Sequence, residues 1–293
     1  MCDELTEQDL KSFLQRQGTM SRRDFNKLGF AAIMASLLPE VAFADSVTES
    51  IVEIPTPEGI SDCYFVHPSV NKHPGIILWP DIKGRRPVYQ AMAKRLAEMG
   101  YSVLVINHYY RDAKAPVVSP EASFGDPDTM NYVRSLASKL TPDAISSDAK
   151  AYVSFLDNQP SVDKNRKIGA FGYCMGGADV MRAAAAVPDR VGAIASFHGG
   201  TLEISETPSS THLLIPKSNA QALHAIAEND DQRTPEIKNI LKKEYQAANL
   251  SAEVEVYKDT LHGWCTPDFS GYHQQQAKQA WTRLIHLFET ALS

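Results

Sequence analysis

The chain has 293 residues, 43% of them hydrophobic, which is enough to bury a large core and excludes a mostly disordered protein. With 29 basic against 35 acidic residues the net charge is -6, so the positive footprint of a nucleic-acid binder is missing. Four cysteines without a CxxC pairing exclude a disulfide scaffold, a zinc ribbon and a thioredoxin-like site, and the sequence calls for neither a metal nor a cofactor.

In chain order, Arg22-Arg23 and Phe25 stand ahead of an apolar run from Leu28 to Leu38. This resembles a twin-arginine export signal, with Ala42-Phe43-Ala44 supplying small residues at the sites that a signal peptidase reads. The run is short of the roughly 20 residues that a membrane-spanning helix needs. Residues 1–44 are therefore expected to be a signal segment cleaved after Ala44, with the twin-arginine machinery as partner and the periplasm as destination. The alternatives are an N-terminal amphipathic helix that stays attached, or a retained membrane anchor. Residues 45–293 read as one domain.

From Ser50 onward short apolar runs alternate with helical segments. Ile51 to Thr56 and Cys63 to His67 flank the turn signal Pro57-Glu58-Gly59 and predict an opening hairpin. Gly75 to Trp79 and Tyr101 to Ile106 are continuous apolar runs, as expected of strands covered on both faces, and Val88 to Met99 between them has helical spacing that stops at Gly100. The alternation continues with Ala144 to Leu156 as helix, Lys167 to Phe171 as strand, Met175 to Val187 as helix and Val191 to Phe197 as strand. Ala222 to Ala227 and Ala252 to Tyr257 predict strands. Pro235 to Ala248 predicts a helix capped by Thr234, and Gln274 to Leu292 a closing helix. Such alternation implies an α/β fold, a mostly parallel central sheet with helices on both faces. Arg111 to Thr141 is the longest irregular connection, of the kind that forms lids or substrate walls.

Gly172-Tyr173-Cys174-Met175-Gly176 follows a strand and opens a helix, the pattern of a nucleophile elbow with cysteine as nucleophile. A thiol there stands at a helix N-terminus, whose dipole favours thiolate. The competing reading is a buried cysteine in a glycine turn that packs strand on helix. Downstream, Glu228-Asn229-Asp230-Asp231 ends a strand and His262-Gly263 follows another. The order nucleophile, acid, histidine is that of α/β-hydrolases. Asp230 and Asp231 are not separable by sequence; Asp230 is favoured because it directly follows the Glu-Asn at the strand end. Of the other histidines, His67, His73, His212, His224, His273 and His286 read as surface or core residues, whereas His108, beside Tyr109, Tyr110 and Arg111, could line the same mouth.

With these motifs the chain from about Ser50 resembles the dienelactone hydrolase family, carboxymethylenebutenolidase-like α/β-hydrolases, in an exported branch. The resemblance rests on residues Gly169 to Gly177, on Ala227-Glu228-Asn229-Asp230, on Leu261-His262-Gly263-Trp264 and on Asn107-His108-Tyr109-Tyr110-Arg111. It implies an α/β-hydrolase fold and a Cys174–His262–Asp230 triad that cleaves a small ester or lactone through a thioester. The backbone N–H groups of Met175 and Ile82 would form the oxyanion hole; Asp81, Tyr109, Arg111 and Trp264 are candidates for substrate contact. Two positions depart from the family type: Asp81 stands where a glutamate is expected, and Cys265-Thr266-Pro267-Asp268 stands where an arginine is expected after the histidine.

The remaining features have plainer readings. Cys63 and Cys265 could pair in an oxidising compartment. Arg85-Arg86 reads as a solvated loop end or a contact for an anionic substrate, and Trp264, Tyr109 and Phe124 as an aromatic substrate wall or as core. A thioesterase or peptidase on the same fold, or a periplasmic binding protein without turnover, are the alternatives to an ester or lactone hydrolase.

Overall fold

The computed structural model describes residues 46–119, 122, 125–199, 204–205 and 207–293; residues 1–44, expected to be a signal segment, and Phe124 lie outside the described residues. Two ten-residue strands, β1 (Val47–Thr56) and β2 (Gly59–Pro68), form the predicted antiparallel hairpin. They edge an eight-stranded sheet completed by β3 (Gly75–Trp79), β4 (Ser102–Val105), β5 (Ile168–Tyr173), β6 (Val191–Phe197), β7 (Gln221–Ala227) and β8 (Ala252–Tyr257). The order is β1-β2-β4-β3-β5-β6-β7-β8, and every pair from β4 to β8 is parallel.

The helices are α1 (Pro87–Glu98), α2 (Pro127–Ala137), α3 (Pro142–Asp157), α4 (Met175–Ala186), α5 (Glu228–Arg233), α6 (Ile237–Ala247) and α7 (Gln274–Ala291). Side chains along β3 alternate between the two faces, as the pleat requires. Ile76 and Leu78 join Phe171 and Phe197 under α1 and α7, while Ile77 and Trp79 join Ala170 and Ile194 under α3, α4 and α6. Every residue of β3, β5 and β6 is buried, which is why those strands read as unbroken apolar runs. Each fully buried Ile, Leu or Phe contributes about 1.5–3 kcal/mol, so the two layers of side chains make the central strands the rigid part of the scaffold. The chain leaves β3 for β4 on one side and returns to β5 on the other, so the strand order reverses at β3/β5. Loops beyond the C-terminal ends of these strands converge there.

Two expectations are corrected, and the pairing left open for Cys63 and Cys265 is not formed. The connection from Arg111 to Thr141 is not irregular throughout: α2 lies inside it, started by Asp126, whose carboxylate accepts from the Thr129 N–H at 3.0 Å, and by Pro127 in the first turn. Thr234 does not cap α6. Its hydroxyl donates to the Asp230 carbonyl and it closes α5, so α6 begins at Ile237. Cys63 and Cys265 are both free and buried on opposite faces of the sheet, which keeps them apart. Burial pushes the Cys63 thiol up to about 12.

Candidate active site

Cys174 sits between β5 and α4 with φ 55° and ψ -122°, a strained conformation for a residue with a Cβ. The turn is tight enough to require its glycines. A Cβ on Gly172 would lie 2.1 Å from the Gly176 carbonyl oxygen, and one on Gly176 would lie 2.4 Å from the Trp79 oxygen and 2.6 Å from the Pro80 oxygen. The second contact shows that the segment leading to Asp81 and Ile82 lies directly against the elbow. Met175 is the first residue of α4, so its N–H has no acceptor within the helix.

The acid and the histidine arrive from the ends of β7 and β8. His262 Nδ1 lies 2.8 Å from Asp230 Oδ2, both side chains being buried. Asp231 instead ion-pairs with Lys238 at 2.6 Å. The two loops are tied by their backbones: the His262 N–H donates to Asn229 Oδ1 at 2.8 Å, and the Glu228 N–H to Thr260 Oγ1 at 3.1 Å. Burial alone would hold the His262 ring neutral, but the Asp230 carboxylate and the neighbouring Cys174 sulfur outweigh it and push its pKa up to about 10. With Nδ1 engaged by Asp230, Nε2 is the nitrogen left for the thiol.

A histidine that the sequence reading passed over completes this group. The Cys174 N–H donates both to the Phe197 carbonyl at 3.0 Å and to Nδ1 of His198 at 3.1 Å. The His198 ring stands edge-on to that of His262, centroids 5.0 Å apart, and its backbone has φ 44°. Burial, reinforced by His262, holds its pKa down near about 3, so the ring is neutral and carries its proton on Nε2. The available signal was its position one residue past a buried strand beside the elbow strand. His108 is also buried, with burial pushing its pKa down to about 3, and stands edge-on to Tyr109.

Over the nucleophile lies α2. Cys174, only 4% exposed, packs with Ile82, Met130 and Val133, and Met175, Val118 and Ala137 close around them. Tyr109 braces this arrangement rather than presenting a bare wall: its hydroxyl donates to the Ile82 carbonyl at 2.8 Å and contacts the Met175 sulfur at 3.6 Å.

The other expected substrate contacts fall elsewhere. Asp81 is held by both terminal nitrogens of Arg86 at 2.6 and 2.8 Å, and the guanidinium keeps its carboxyl, against the effect of burial, well below the usual carboxylate range. Arg111 is occupied by Asp148 at 2.8 and 2.9 Å and by Glu58. Trp264 is fully buried and stacks on Tyr257 with centroids 4.6 Å apart, so it is core. Arg85 and Arg86 are not a solvated loop end either: both are buried, and Arg85 pairs with Asp62 at 2.9 Å.

Three comparisons with known proteins bear on this arrangement. A family model described as the Dienelactone hydrolase family matches residues 61–292. The chain is similar to a Salmonella typhi protein named "Putative carboxymethylenebutenolidase", with 24% identity over 269 residues that cover 89% of this chain and 94% of that protein. A Synechocystis sp. protein of the same name is 25% identical over 254 residues, covering 84% of this chain and 98% of its own length. Among solved structures, a Klebsiella pneumoniae protein named "Putative Dienelactone Hydrolase" superposes with a TM-score of 0.71 at 21% identity, over 84% of this chain and 100% of that one, which shows the same α/β-hydrolase fold. Since the family match runs from β2 through α7 and takes in the elbow and both loops that meet it, the chain belongs to the dienelactone hydrolase family and is a hydrolase.

Proposed function

We propose that the protein hydrolyses a small ester or lactone by covalent catalysis at Cys174, with His262 as proton carrier and Asp230 as the carboxylate that orients it. The observation that carries this reading is the 2.8 Å bond from His262 to Asp230 in a ring that also feels the Cys174 sulfur. A histidine oriented by a carboxylate, with its other ring nitrogen left for the nucleophile's sulfur, supports transfer of the thiol proton to the ring. The thiolate attacks the carbonyl carbon, and the resulting oxyanion accepts from the N–H groups of Met175 and Ile82, each such donor being worth about 10²–10³ in rate. Collapse breaks the C–O bond, and the imidazolium gives its proton to the leaving alkoxide. Water then loses a proton to neutral His262 and attacks the thioester. The C–S bond breaks, the acid leaves and the thiolate–imidazolium pair is restored.

The test is a panel of short-chain aryl esters and lactones offered to the purified chain. Turnover that is lost in Cys174→Ala and after alkylation by iodoacetamide is the expected result. Turnover that persists after complete alkylation of Cys174 overturns the cysteine mechanism.

We also propose export by the twin-arginine route, supported by Arg22-Arg23 before the short apolar run. Replacing both arginines by lysine should retain the protein in the cytoplasm, and the exported form should begin at Asp45. Unchanged export of the double variant overturns the routing.

A further inference from the structure

We propose that Asp268 sets the charge class of the substrate: it occupies the guanidinium of Arg86 from within the protein, so that uncharged esters or lactones are accepted and substrates with a carboxylate are turned away. This inference rests on the hydrolytic reading above and narrows it.

An arginine side chain offers five N–H donors. All five of Arg86 are taken. Nε donates to Asp268 Oδ2 at 2.6 Å, Nη1 to Asp81 Oδ1 at 2.6 Å and to the Gly84 carbonyl at 3.3 Å, and Nη2 to Asp81 Oδ2 at 2.8 Å and to Asp268 Oδ1 at 3.1 Å. The Nε and Nη2 edge is the one that would grip a carboxylate through two parallel bonds, and Asp268 grips it in that way already.

The position matters as much as the saturation. Asp81 immediately precedes Ile82, which packs on Cys174, and Asp268 follows His262 along the same loop, so Arg86 joins the two segments that flank the nucleophile. The Arg86 side chain is 3% exposed and that of Asp268 is 20% exposed, which makes Asp268 the outward face of the cluster. An arriving carboxylate meets that face, a like charge, instead of the cation behind it. Arg85 is likewise committed to Asp62, Arg111 to Asp148 and Glu58, and the buried Lys83 ammonium to the Ala122 carbonyl at 3.4 Å and to the field of Asp81, while Ile82, Met130 and Val133 pack on Cys174. These groups suit an uncharged acyl chain.

The test compares 4-nitrophenyl hexanoate with the 4-nitrophenyl hemiester of adipic acid, which differ in a terminal methyl against a carboxylate. The wild type is expected to favour the neutral ester by about tenfold or more in kcat/KM, and Asp268→Ala, which frees the Nε and Nη2 edge, to shift the ratio toward the hemiester by about tenfold. Asp268→Glu should restore the original preference. A wild type that prefers the hemiester, or a ratio unchanged in both Asp268→Ala and Asp268→Asn, means that the carboxylate merely straps two loops and overturns the proposal. Calorimetry with monomethyl adipate in the Cys174→Ala background requires no turnover and so separates this proposal from the hydrolytic reading. Binding only when Asp268 is also removed supports the charge gate, even if every ester resists hydrolysis. Binding with Asp268 in place overturns it.

Discussion

The backbone N–H of Cys174 is shared between the Phe197 carbonyl and Nδ1 of His198, 3.1 Å away, so the second histidine holds the main chain of the elbow and leaves the thiol to His262. Its role is to position. His198→Asn keeps an acceptor and tolerates a positive φ, whereas His198→Phe removes the acceptor beside a strained residue. Steady-state kinetics should show kcat down by about tenfold or more in the Phe variant with KM within about twofold, and near wild-type values for Asn. Equal losses in both variants would assign the effect to packing.

Asp230 and Asp231 should behave very differently. Asp230 faces His262 and Asp231 is held by Lys238, so Asp230→Asn is expected to lower kcat by about 10² or more without unfolding, and Asp231→Asn to change it by less than about threefold. Reversed effects would transfer the role to Asp231.

The shifted pKa values predict how stability depends on pH. His262 is raised from 6.5 to about 10, so its contribution is complete below about 6.5 and is lost as pH climbs through about 10. Asp230 is lowered from 3.8, because His262 outweighs the effect of burial, and its contribution is present above about 3.8 and lost as pH falls further. Thermal melts of the wild type should therefore lose Tm between pH 7 and 10 more steeply than melts of His262→Phe. Parallel curves would contradict the raised value.

Met130 and Val133 of α2 pack on the Cys174 side chain and cover it. Met130→Ala removes part of that cover and should accelerate alkylation of Cys174 by iodoacetamide by about threefold or more, with little change at Cys63 or Cys265. An unchanged rate, followed by peptide mass spectrometry, would mean that reagents reach Cys174 by another way.

Asp179 on the elbow helix is buried, and burial raises its carboxyl from 3.8 to about 7, with Arg182 opposing and Asp148 adding to the shift. The folded state thus holds that proton more tightly than the unfolded chain, and stability declines as pH rises from about 4 to about 7. Asp179→Asn should raise Tm by about 2–4 °C at pH 8, where the carboxylate is charged, and by less at pH 5. A larger gain at pH 5 would reverse the sign and refute the argument.

The layout of the fold was legible because its cause is local. Strands covered on both faces have to be apolar throughout, as Gly75 to Trp79 and Val191 to Phe197 are, and helices between them keep a helical period. The elbow was legible for a steric reason: Gly172 and Gly176 stand where a Cβ would strike backbone oxygen. By contrast α2 presents only Met130, Val133 and Leu136 as a buried stripe in a polar stretch, too thin a pattern to separate from loop.

What the tertiary structure alone decided concerns pairs of groups distant in sequence. Neighbouring residues on a helix diverge by about 100°, so the first turn of α5 sends Asp230 to His262 and Asp231 to Lys238, a choice no composition reveals. His198 reaches the elbow because β6 lies alongside β5, and its hydrogen bond spans 24 positions. Arg86 meets Asp268 across 182 positions, which turned an apparent solvent-facing arginine pair into a buried, fully bonded cation. Local sequence carries the cost of a bad turn or an exposed apolar face, whereas the partner of a buried charge is set by which chain ends the sheet brings together.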